Sequence, residues 1–134
     1  MSEAQPLSKT ERPPTSRGDV LADLLNGVEH VAPVISRHRQ DCEINRTLSP
    51  DVVRAMREVG LFRMKSPHEV GGAEIHPVDQ MAVVEAVVKL DSAAAWTMFI
   101  GATVTGRALS ALSDEAVDEL MAAPDFPIMA GSLK

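Results

Sequence analysis

The stretch LSPDVVRAMREVGLFRMKSPHEVGG, Leu48 to Gly72, decides how the rest of the chain is read. It opens with helix punctuation. Ser49 can cap, Pro50 suits a first helical position that needs no N–H, and Asp51 complements the helix dipole. Val52, Val53, Met56 and Val59 recur at helical spacing and give that helix a buried side, and Gly60 can close it. LFRMKSP then reads as a short extended piece entering the loop SPHEVGGAEIHP, Ser66 to Pro77. Gly71-Gly72 supplies positive φ for a tight reversal there. His68 and His76 flank the pair, eight residues apart. A zinc helix needs two histidines one turn apart on one face, so this is a turn and not a metal motif.

Helices extend on both sides of this stretch. Upstream, DVLADLLNGVEHVAPVISRHRQD sets Val20, Leu21, Leu24, Leu25, Val28, Val31, Ala32 and Ile35 on one face. Pro33 interrupts the pattern and predicts a kink or a split. DCEINRT follows as a polar connector, and residues 1–18 read as a disordered leader rich in Pro, Ser, Thr and charge. Downstream, His76-Pro77 starts PVDQMAVVEAVVKLD, apolar around most of its circumference and suited to the middle of a bundle. Ser92 can cap the next helix, which has no charged residue from Ser92 to Gly106. SDEAVDELMAA is a last helix, opened by Ser113 and stopped by Pro124. The tail DFPIMAGSLK reads as a β-strand without a partner. The expected fold is therefore all-α, an up-and-down bundle of about five helices over residues 19–124. Residues 125–134 would begin a β domain whose remainder lies outside the 134 residues.

Composition excludes several functions. The chain is 45% hydrophobic and 24% charged, ordinary for a globular domain. A net charge of −6 with no basic cluster argues against nucleic-acid binding. The uncharged helix is too short and too rich in Ser, Thr and Gly to span a membrane. A single cysteine, Cys42, fits a reducing, cytoplasmic setting. GATVTGRA, Gly101 to Ala108, has P-loop spacing but Arg107 and Ala108 where Lys and Ser/Thr are required, so Gly101 and Gly106 serve close helix packing instead. No nucleophile or acid–base pair stands out. Trp96, the single tryptophan, shares helical spacing with Ile100, Thr103 and Arg107. The residue types favour a core anchor. The functional alternative is one wall of an apolar ligand cavity, with Thr97 or Thr103 adding a polar contact.

The stretch from Leu48 to Gly72, with VVEAVVKLD, DSAAAW and PIMAGSLK, resembles the N-terminal helical domain of the acyl-CoA dehydrogenase superfamily. The Gly-Leu-Phe-Arg run and the Pro-x-Glu-x-Gly-Gly run are the most specific parts. The resemblance implies an all-α domain followed by a middle β domain and a C-terminal four-helix bundle. FAD or FMN would lie between those two, and the helical domain would close the substrate cavity. SAAAW and AGSL look more like the flavin-dependent hydroxylase branch than the fatty-acyl-CoA dehydrogenases. In that branch a separate flavin reductase is the partner, and small, often aromatic substrates are hydroxylated with O2. Trp96 and Ile100 match positions facing substrate, and Ser132 and Leu133 match the segment approaching the flavin. The family's catalytic carboxylate or histidine would lie beyond Lys134. The chain alone is expected to hold no flavin tightly, and to self-associate or pair with the missing domains. The rival reading from another class is a free-standing helical interaction module.

Overall fold

A computed structural model describes residues 16–132. Five α-helices follow in order: α1 (Arg17–Asn45), α2 (Pro50–Glu58), α3 (Pro77–Val88), α4 (Ser92–Ala111) and α5 (Asp114–Met121). Single 3-10 turns, Leu61–Arg63 and His68–Val70, punctuate the connection from α2 to α3. Among the described residues there is no strand, and the domain is all-α. Residues 1–15 of the expected leader, with Leu133 and Lys134, lie outside the described part.

Helix α1 is longer than the sequence pattern suggests. Ser16 caps it with a full capping box, its hydroxyl accepting from the Asp19 N–H while the Asp19 carboxylate accepts from the Ser16 N–H. It runs unbroken through Pro33, so the expected split does not occur. Pro33 sits on the exposed side, while Val31 and Ile35 beside it are buried in the core. That burial outweighs the one backbone bond the proline removes. The expected polar connector at 41–47 is also helix as far as Asn45. Cys42 continues the buried stripe one heptad after Ile35, and its Sγ accepts the Ser49 N–H at 3.2 Å.

The punctuation of α2 is as the sequence indicates. Ser49 caps, Pro50 leads, and the chain reverses at Gly60. LFRMKSP is not extended: it makes the 3-10 turn that drives Leu61, Phe62 and Met64 into the core beside Met56. These large side chains, with Val52, Val83, Val87 and Met98, are sealed from solvent. Alternating burial at Phe62, Met64 and Ser66 mimics a strand, but the chain must turn between them to meet α4.

Helix α4 approaches this turn very closely because its facing residues are small. A Cβ at Gly106 would lie 2.6 Å from the Lys65 carbonyl oxygen, and one at Gly101 would lie 3.1 Å from the Phe62 ring. Close packing is thus the role of both glycines. Asp91, not Ser92, caps α4, its carboxylate accepting from the Ala93 and Ala94 N–H groups. Ser113 caps α5. Among its described residues the tail beyond α5 has no strand and forms no ladder. The Met129 N–H donates to Thr105 Oγ1 at 2.8 Å, Arg57 Nε donates to the Phe126 carbonyl at 3.0 Å, and Ile128 packs on the core. Side chains of the bundle thus stand in for two of the bonds a neighbouring strand would have made.

Candidate functional site

Helix α3 packs between α1 and α4 with Val83 and Val87 sealed in the core, but it also buries polar groups and exposes apolar ones. Asp79 and Gln80 are buried, whereas Val78, Met81 and Val88 are exposed, at 65%, 58% and 49%. Each buried polar group has a partner, which makes its burial tolerable. Gln80 Nε2 donates to Thr103 Oγ1 on α4 at 3.1 Å. Arg17 grips Asp79 with two bonds, Nε to Oδ2 at 2.6 Å and Nη2 to Oδ1 at 2.9 Å. The hydrogen-bonding Arg17 guanidinium holds the Asp79 carboxyl below the usual carboxylate range, against the opposing effect of burial. Polar ties to α1 and α4 thus orient α3 and leave an apolar side facing outwards.

That outward side meets α4 in an open groove of about 210 Å3. Met81, Val84 and Val88 form one wall, Ala95, Trp96 and Phe99 the other, and Ser92 contributes the single hydroxyl. No charged side chain lines it. Trp96 is 66% exposed, so it is not the core anchor its residue type favours. Its ring leans against Phe99, with centroids 6.4 Å apart and planes at 40°, a favourable tilted aromatic geometry. Drug-sized ligand pockets run to roughly 300–1,000 Å3 and enclose most of the ligand. The groove is smaller and open.

The candidate residues from the sequence separate here. Trp96 is on the groove. Thr97 is exposed on α4 but does not line the groove, and Ile100 is half-buried away from it. Thr103 is occupied by Gln80 and acts between the helices. Ser132 is exposed at the end of the tail, and Leu133 falls outside the described residues. Met81, Val84, Val88 and Phe99 were missed. Their signal was present as i, i+3 and i+7 spacing from Met81 and i+3 from Trp96, but it was absorbed into an all-round apolar helix.

The loop Ser66–Pro77 is a built turn. Gly71 has φ +80°, and a Cβ on Gly72 would fall 1.9 Å from the Ser66 carbonyl oxygen. Glu74 Oε1 accepts the His68 N–H, and His68 Nδ1 lies 3.0 Å from the Gly72 carbonyl. His76 caps α3, its Nδ1 accepting the Val78 N–H at 3.2 Å. Among the described residues no three His, Cys, Asp or Glu side chains are placed to hold a metal ion. Nor is any helix of the described part long and apolar enough to cross a membrane.

The domain is all-α, the buried polar groups of α3 are partnered, and an open, apolar and aromatic groove lies between α3 and α4. The sequence matches the family model of the acyl-CoA dehydrogenase N-terminal domain over residues 27–121. That match spans well over half of the chain, and the protein belongs to the acyl-CoA dehydrogenase family through this domain. No curated protein and no solved structure matches it.

Proposed function

We propose that this domain forms the substrate-covering wall of a flavin-dependent monooxygenase of acyl-CoA dehydrogenase fold. The observation that carries the reading is the open groove between α3 and α4, apolar and aromatic above buried, satisfied polar groups. It would take the apolar part of a small substrate, an aromatic ring before all, against Trp96 and Phe99. Full burial of a large apolar side chain contributes about 1.5–3 kcal/mol, so Met81, Val88 and Trp96 favour being covered. The groove does not fit a flavin: it offers no cation for a phosphate and one hydroxyl for a polar ring edge. FAD or FMN would be held by other polypeptide, with Ser132 and Leu133 at its approach, and a flavin reductase would be the partner. No step is assigned to the described residues beyond binding the substrate and excluding water from it.

A second reading is supported by the family match itself, whose description is an acyl-CoA dehydrogenase. In that case the same groove would take the acyl chain of a thioester. The two differ in what the assembled flavoenzyme consumes. Uptake of O2 coupled to reduced flavin and an aromatic substrate supports the first. Anaerobic bleaching of the flavin by an acyl-CoA supports the second, and neither behaviour would remove both.

A further inference from the structure

The cleft at the N-terminal end of α3 has a different character from the apolar groove. It encloses about 480 Å3 between the start of α1 and the loop, and five titratable or charged side chains line it. Arg17 faces it from α1, His68 and Glu74 from the loop, His76 from the cap position and Asp79 from α3. His76 has an unusual duty there. Most N-caps are Ser, Thr, Asp or Asn, whose oxygens accept at every ordinary pH. Here the acceptor is the Nδ1 lone pair of an imidazole. Pro77, next in sequence, has no N–H, so the Val78 N–H is the first amide of the helix that needs an acceptor.

An imidazolium has two N–H donors and no lone pair. A proton on Nδ1 therefore removes the cap and turns donor against donor. It also adds a positive charge at a helix N-terminus, where cations are disfavoured. A carboxylate, Asp79, lines the same cleft. We infer that His76 is an acid-sensitive latch: neutral, it caps α3; protonated, it releases the Val78 N–H beside the Arg17–Asp79 pair. Loss of the cap changes the first turn of α3, which carries Asp79 and its clasp on α1.

The test is a pH titration of the isotope-labelled 134-residue chain by NMR between pH 5 and 8, the range in which histidines as a class change charge. The Val78 amide shift should follow the His76 ring signals with one midpoint. Its exchange protection should fall roughly three- to thirty-fold in acid, the change that loss of a cap corresponds to. His76→Asn keeps a capping acceptor and removes the titration, so Val78 should then be flat across the range. His68→Gln should leave the Val78 response in place. A flat Val78 in the unaltered chain, or a response that survives His76→Asn, overturns the latch. Both readouts are local, so this test stands or falls apart from the groove and its ligand.

Discussion

The turn packed beneath α4 and the outer face shared by α3 and α4 are built from similar apolar residues and reach opposite ends. In the first, Leu61, Phe62 and Met64 are sealed, and backbone meets backbone at Gly72 and Gly106 with no room for a methyl group. Even the Ser66 hydroxyl is enclosed there and has no hydrogen-bond partner among the described residues, a cost borne where the approach is closest. In the second, Met81, Val88 and Trp96 stand in solvent while Asp79 and Gln80 are inside. A core is indifferent to direction, since every apolar surface gains by burial. On α3 the buried side carries Val83 and Val87 together with two polar ties, Arg17–Asp79 and Gln80–Thr103. The packed turn is closed on all sides, whereas the outer face of α3 and α4 stays open to solvent.

The sharpest break in this contrast comes from adding one methyl group to the tight region. Gly72→Ala places a Cβ 1.9 Å from the Ser66 carbonyl oxygen and 2.7 Å from its Cβ, both fixed by the turn. The loop must open, losing the Glu74 N–H to Ser66 carbonyl bond of 3.1 Å. The expected cost is about 3 kcal/mol or more. Urea denaturation would show it as a lowered midpoint, and an unchanged midpoint would mean the turn is pliable.

Much of this fold is legible in the sequence because its punctuation is chemical. Ser49-Pro50, Ser113 and the glycines of α4 do what their residue types dictate. The misreadings share one cause, which is long-range packing overriding a local signal. Pro33 breaks helices in isolation, but Val31 and Ile35 are held by the core on either side of it. The residues from Asp41 to Asn45 look like a connector until Cys42 is counted with the stripe that precedes it. The site was half legible. A tryptophan on a helix names a candidate, but which way it faces follows from the side of α4 that packs on the turn at Phe62 and Lys65, far earlier in the chain, and no periodicity reports that approach.

The ties that orient α3 can be weakened without touching the core. Arg17 lowers the pKa of Asp79, so the stabilisation is present above the unfolded carboxylate value and lost as pH falls through the lower folded value. The unaltered chain should lose stability in acid below about pH 4, where free carboxylates protonate. Asp79→Asn should lower the melting temperature at neutral pH and flatten that acid limb. Arg17→Gln should do the same, and the double variant should be little worse than either single one. A full acid limb in Asp79→Asn would assign the pH dependence to other carboxylates.

The smallest effect on stability is expected at the most conspicuous residue. Were Trp96 a core anchor, truncating it would cost about 3–5 kcal/mol, the usual range for buried aromatics. With 66% of the side chain exposed, Trp96→Ser should cost under about 1 kcal/mol, chiefly the contact with Phe99. Because it is the single tryptophan, the unaltered chain reports its own state. Emission should be red-shifted and readily quenched by iodide in the isolated chain. It should move to the blue and resist quenching when an aromatic ligand covers the groove. A large stability loss with shielded emission in the isolated chain would place Trp96 inside, and the distinction between a closed core and an open face would collapse at that residue.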